Sequence, residues 1–331
     1  MWTNVLIQPG KYSFLLGNVF SYRCKLSQLA QLHVWSLYVS PVLRSGLAAL
    51  PVRQSVIKTI INFHHKILRG ILKLSPRSPL APLYFLLGEL PMEAALHLDI
   101  LTLFRCVWAN PQTKIHEIIK YLLMITDSSS HTWAAHLRSI FQLYRLQDPL
   151  HLLRRSKEKW KCTINTAVIS HTEVSWREKA ARKSKLGFLN IQVAGLTGKP
   201  NPVLSGILTT QEVVRSRVHI KMLAGDYPCQ FYLGSDRQQD SACLLCQALT
   251  PDIPAPSEDM VHLLTRCRAT IDTRTRVKPE LLNTISKHFP NNAILNYPNQ
   301  TNLTQLILDP TSINLLMNVR ITLITLLSPY Y

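Results

Sequence analysis

Cys243-Leu-Leu-Cys246 is followed, after fifteen intervening residues, by His262 and, after four more, by Cys267. Two thiols separated by two residues share one tight turn, and a histidine and a cysteine flanking a short helix can complete a tetrahedral shell. This is the most legible chemistry in the chain and the most restrictive, because ligands from two separated segments must meet at one point. The loop between the halves, Thr250-Pro-Asp-Ile-Pro-Ala-Pro-Ser257, is proline-rich and extended. Ser257 followed by Glu258 and Asp259 reads as a helix start with acids in its first turn. His262 then rides that helix and Cys267 leaves its end. Four protein ligands leave no open coordination position, so Cys243, Cys246, His262 and Cys267 are expected to hold a structural Zn2+ that folds a knuckle and catalyses no hydrolysis. The alternative is a chance clustering of three of the seven cysteines near a helix. The spacing by itself names no finger class.

The charge is lopsided, with 37 Lys and Arg against 19 acids, as is ordinary for a protein that meets a polyanion and unusual for an enzyme of small anionic metabolites. Its distribution is sharper still: the first 88 residues hold ten Lys or Arg, and the first acid is Glu89. An apolar content of 47% with 17% charge argues against disorder. Cys24, Cys106, Cys162 and Cys229, scattered apart from the cluster, do not form a secreted disulfide framework. A reducing, intracellular compartment, nuclear or cytoplasmic, is expected, and the sequons at Asn299 and Asn302 are then chance matches. No apolar run reaches the length of a membrane span, the nearest (313–327) being interrupted by Asn314, Asn318 and Arg320. Met1–Phe20 lacks the basic start of a signal peptide.

Helical periodicity dominates the rest, and the expected class is mostly α: a helical bundle over 1–155, a basic linker region over 156–205, and a smaller, loop-rich helical domain with the Cys3His knuckle over 206–331. Residues 28–47 read as a kinked helix or two short ones, broken by Pro41 and ended at Gly46. A clear amphipathic helix follows over 56–74, whose other face carries Lys58, His65, Arg69 and Lys73, either a solvated face or a phosphate-contacting stripe. Leu83–Leu87 is a short buried helix. Pro91 opens a helix that is apolar nearly all round to Trp108 and should be central. His97 on it reads as a core histidine. Further helices are expected at 113–126, 133–144, 148–155 and from the capping box Thr209-x-x-Glu212 to Gly225. Between them lies a basic run: Arg154, Arg155, Lys157, Lys159, Lys161, then Arg182, Lys183 and Lys185, with Trp160 and Trp176 interleaved. It is either a solvated linker or a surface that grips backbone phosphates while the aromatics stack on unpaired bases.

Several blocks together resemble one family. They are Leu37–Leu47, Phe63–Leu74, Leu83–Glu93 and His219–Tyr227, completed by Glu258-x-x-x-His262-Leu-Leu-x-x-Cys267. Their order is similar to the part of LINE-type, non-long-terminal-repeat retrotransposon reverse transcriptases that follows the polymerase palm, the thumb and the C-terminal zinc-binding region. The resemblance implies that the 56–74 helix grips a template–primer duplex and that the knuckle binds element RNA or target DNA. It implies RNA or DNA as partner, with no small-molecule substrate and no membrane.

The chain departs from that family where catalysis is concerned. Polymerases of this class hold two metals on carboxylates that include an adjacent Asp pair, whereas this chain has no Asp-Asp and no Asp before Asp99. Nucleotide transfer by the chain alone is therefore not expected, although a separately encoded palm is a conceivable partner. Lys278-Pro-Glu280 is only a fragment of a carboxylate site. Met1 is expected to mark a truncated or internally started reading frame. The rival class is a helical protein-interaction scaffold in which zinc merely staples the second domain.

Overall fold

The structure, a computed structural model, describes residues 26–50, 53–125, 132–146, 156–182, 210–227 and 241–272, together with Phe20 and scattered positions among 186–204 and 274–283. The expected helices over 148–155 and the tail beyond 283 lie outside the described residues. Those described are mostly helical and hold no strand; one isolated bridge joins Ala242 to Ser257. No described helix is long and apolar enough to cross a membrane.

Ser27 accepts from the Ala30 amide and starts α1 (Gln28–Val34). A π turn over Trp35–Val39 carries the chain into α2 (Ser40–Arg44), which has proline in its first turn, and Gly46 then turns the backbone at φ 78°. The kink expected from Pro41 thus takes the form of a widened turn just before it. In α3 (Gln54–Leu72) the buried positions Ile57, Ile60, His64, Ile67, Leu68, Ile71 and Leu72 recur at three and four, the stripe of an amphipathic helix. Lys73 ends it in the left-handed region at φ 58°, and Leu74 N donates back to Arg69 O at 3.0 Å.

Every residue of α4 (Ala81–Leu87) is buried. Gly88 closes it at φ 66°, and a Cβ there would stand 2.1 Å from the Lys199 carbonyl oxygen. Only glycine meets both demands, and the strand-like approach is fixed by Gly198 N to Gly88 O at 2.9 Å and Asn201 N to Leu86 O at 2.7 Å. Pro91 precedes α5 (Met92–Trp108) as its cap, one position earlier than the sequence indicated, with Glu93 in the first turn. As expected from its apolar circumference, α5 is central: it packs against α3, the 3₁₀ turn Leu47–Ala49, α6 (Lys114–Ile125), α7 (Trp133–Leu143) and α8 (Lys157–Ala181). An ion pair between Arg44 and Asp99 at 2.8 Å fastens α2 to it.

The basic stretch from 157 is not a solvated linker. It forms the 25-residue α8, capped by Ser156, whose Trp160, Ile164, Val168, Thr172 and Ala180 are buried. Trp160 is 2% exposed, its ring 6.3 Å from Phe104 and 6.4 Å from Phe141. A stripe of about one residue in four, diluted by charge, carries too little mean apolarity to stand out in sequence, yet it suffices to seat the helix. Farther on, α9 (Thr210–Leu223) follows the expected span and Gly225 turns at φ 64°. Gln28 Nε2 donates to Ser216 Oγ at 3.4 Å, joining α9 to α1.

Buried polar groups set the pH response. His64 lies flat against Trp35, ring centroids 5.0 Å apart and 9° from parallel, and neither ring nitrogen has a hydrogen-bond partner among the described residues. Burial above all, then the neighbouring His65 and Arg44 charges, lowers its pKa to about 3. Burial likewise takes His97, whose Nδ1 meets Tyr144 Oη at 2.8 Å, down to about 4, so it is the core histidine expected. An unfolded histidine titrates near 6.5. Between that value and these lowered ones the unfolded chain binds more protons, so their stability is complete above pH 6.5 and drains away as pH falls. Thermal melting is expected to shift downward from pH 7.5 to pH 5, by up to about 1.4 kcal/mol per pH unit for each histidine. His64→Phe, which keeps the stack and removes two unpaired nitrogens, should flatten that dependence. Trp160→Ala should cost about 3–5 kcal/mol in a urea titration, because it empties the joint between α5, α7 and α8.

Candidate metal centre

Cys243 caps α10 (Leu244–Leu249) and Cys246 sits in its first turn, so the Cys-x-x-Cys spacing turns both sulfurs inward. The bridge between Ala242 and Ser257 then brings the second segment alongside, with Cys243 N to Pro256 O and Glu258 N to Ser241 O both 2.8 Å. The helical turn there begins at Met260, and Asp259 rather than Ser257 caps it, its Oδ1 accepting from His262 N at 2.6 Å. His262–Arg266 winds as a π turn, closed by Cys267 N to His262 O at 2.7 Å. Five residues along an α-helix are about 140° apart around its axis; the wider turn lets Cys267 return to the side that His262 occupies.

The four side chains predicted as ligands are all buried, and one ligand atom from each lies within 4.8 Å of every other. Sγ of Cys246 is 3.4 Å from His262 Nε2 and 3.7 Å from Cys267 Sγ, which stands 3.9 Å from Cys243 Sγ. A tetrahedral ion with metal–sulfur bonds near 2.3 Å and a metal–nitrogen bond near 2.0 Å has edges of about 3.8 Å between sulfurs and about 3.5 Å to nitrogen. The group therefore fits a metal ion. The sulfur separations are far above the ~2.05 Å of a disulfide, and all three cysteines are free.

Electrostatics favours the same conclusion. Burial pushes the Cys243 thiol well above its ordinary value, and the charge of Cys267 adds to the push. Burial acts in the same sense on Cys246, but the Arg268 backbone amide, the thiols of Cys267 and Cys243 and the Ala269 amide together outweigh it and lower that thiol. Burial lowers His262, leaving its imidazole neutral and able to coordinate. Burial thus keeps Cys243 protonated unless a cation stands beside it, the charge that a bound metal ion would supply. A cleft of about 220 Å³ between Pro254–Pro256 and Arg266 is lined by Cys246 and His262.

The residues expected to touch nucleic acid fare unevenly. Lys58 is exposed on α3, but the rest of that stripe is engaged. His65 Nε2 meets Tyr84 Oη at 2.6 Å, and burial, with Arg69 beside it, lowers its pKa to about 4, so it is no cation at neutral pH. Arg69 is half-buried and donates to Ser78 O at 3.1 Å. Lys73, 1% exposed, donates to Gln31 Oε1 at 3.2 Å. The expected basic stripe is corrected accordingly: Lys58 remains, and Lys66, which the sequence reading passed over, is the other exposed cation of that helix. On α8, Lys157, Lys159, Lys161 and Arg182 are exposed, whereas Trp160 is withdrawn into the core and cannot stack on a base. Trp176 is half-buried against Tyr84 at 4.8 Å, with Lys179 Nζ 4.5 Å from its ring centre. Arg154, Arg155, Lys183 and Lys185 lie outside the described residues.

No family model, curated protein or solved structure matches the chain. One metal ion per chain is expected from elemental analysis of the purified protein. Cys243→Ser and His262→Ala should each abolish stoichiometric retention after dialysis, and Co2+ bound in the wild type should give the visible absorption of a tetrahedral thiolate site.

Proposed function

We propose that this chain is a nucleic-acid-binding unit, related to the post-palm thumb and zinc-binding region of LINE-type reverse transcriptases, in which Cys243, Cys246, His262 and Cys267 hold zinc. The observation that carries the reading is the convergence of these four buried side chains at tetrahedral spacing, in a protein with 37 cationic and 19 acidic residues. Bound zinc would supply folding free energy and charge compensation for the thiolates, with no position left for a reacting water. The chain's own cations do the binding. Lys157, Lys159 and Lys161, exposed on the first turns of α8, and Lys58 on α3 supply phosphate contacts, and Arg266 and Arg268 flank the cleft at the metal centre. Such contacts are insensitive to sequence and release counterions. Without an adjacent Asp pair, nucleotide transfer is assigned to no residue of this chain.

A second reading, a helical interaction scaffold, is favoured by one observation: Ile115, Ile118, Tyr121 and Met124 stand exposed at three-residue steps along α6. Salt titration separates the two. On single-stranded RNA, the logarithm of affinity should fall linearly with that of salt concentration, by about 0.7 per phosphate contacted, and replacing Lys157, Lys159 and Lys161 by alanine should reduce the slope by about 2. A scaffold would give neither the slope nor its reduction.

A further inference from the structure

The turn after α3 carries two Ser-Pro steps within five residues, Ser75-Pro76-Arg77-Ser78-Pro79. Pro76 and Arg77 are exposed, Ser75 is half-buried and Ser78 is buried. Ser75 ties this turn to a residue 151 positions further along: its amide donates to Asp226 Oδ2 at 2.7 Å and its hydroxyl to Oδ1 at 2.5 Å. Asp226 lies just past α9, its own amide bonded to Lys221 O at 2.8 Å. The clasp therefore fixes the end of α9, where the chain sets out toward the metal centre, against the end of α3. Arg69 donates to Ser78 O at 3.1 Å and lies within electrostatic reach of Asp226. The Asp226 carboxylate thus has the Arg69 guanidinium within reach, and Arg77 is exposed on the same turn.

We propose that Ser75 is a phosphorylation site for a proline-directed serine/threonine kinase, and that its phosphate releases the end of α9 from α3. In the transfer, Ser75 Oγ attacks the γ-phosphorus of ATP. The new O–P bond forms as the bond to the ADP oxygen breaks, the hydroxyl proton passes to the kinase's base, and ADP departs. Ser75 can enter a kinase only after the clasp has opened, since its hydroxyl is otherwise engaged with Asp226, and the end of a helix is where local opening costs least. The product carries about two negative charges at neutral pH and has lost the O–H that bonded the carboxylate. Reclosure would set those charges directly against the Asp226 carboxylate, where the hydroxyl had served as a donor, so the modification holds the clasp open. Ser78, although followed by Pro79, is 2% exposed and its hydroxyl is bonded within the turn to Ser75 O, so it is not the site. This inference is independent of what the metal centre binds.

The full-length protein treated with a purified proline-directed kinase and Mg·ATP, then analysed by peptide mass spectrometry and by amide hydrogen exchange, tests the proposal. Phosphate at Ser75 is expected, with exchange at amides 221–226 faster by about tenfold or more. The acceleration on phosphorylation should be largely absent in Asp226→Asn, which removes the opposing charge. Failure to find phosphate on Ser75 would overturn the site. Phosphorylated Ser75 with unchanged exchange, or with equal acceleration in Asp226→Asn, would overturn the release.

Discussion

A helix that is apolar over most of its circumference must be covered over most of it, and the need to keep that part of α5 dry arranges most of the described helices. Leu96, Ile100, Leu101 and Phe104 are buried along it, Thr102 and Cys106 stay at the surface, and α3, α6, α7 and α8 each cover a part of the rest. α3, α7 and α8 each offer it one apolar stripe and turn a more polar side outward, whereas α6 also exposes the row Ile115, Ile118, Tyr121 and Met124. That demand recruits even α8, the most charged helix described, whose few large apolar side chains reach the centre while Lys157, Lys159 and Lys161 stay in water. The exposed cations and the core are therefore built from the same elements.

The metal centre obeys a different constraint. Its cysteines form a small cluster of their own with Ala255, apart from the large core, so little apolar burial holds that loop together. A short bridge, a capped turn and a π turn bring in the ligands, and each is too weak to persist on hydrogen bonding alone. An ion bound to these side chains would couple the local features into one unit. Met260 and Leu264, on the same turn as His262, do join the large core, so that turn belongs to both the metal centre and the helical body.

Polar groups inside the helical body are tolerated by stacking, by short hydrogen bonds and by staying neutral. His64 relies on Trp35, His65 on Tyr84 and His97 on Tyr144. Histidines so held cannot supply positive charge, and this is why a stripe that reads as basic in sequence is in large part structural. A lysine at the end of α3 meets the same fate: Lys73 adopts a left-handed backbone to end the helix, and its side chain is folded inward to Gln31.

The sequence by itself determined the helical class, most helix spans, the centrality of Met92–Trp108 and the four candidate metal ligands. Each of these is written in local spacing: three-and-four periodicity, caps, glycine and proline stops, and the Cys-x-x-Cys turn. Tertiary structure alone decided which face of a basic helix meets solvent. Trp160 and Lys157 are three residues apart, yet one is buried and the other exposed, because the neighbouring Phe104 and Phe141 come from distant segments. It also decided the Ser75–Asp226 clasp, since a contact spanning 151 residues leaves no trace in either local pattern. Spacing along a chain fixes what a segment can become, whereas exposure is a property of its neighbours, and those are chosen only when the core closes.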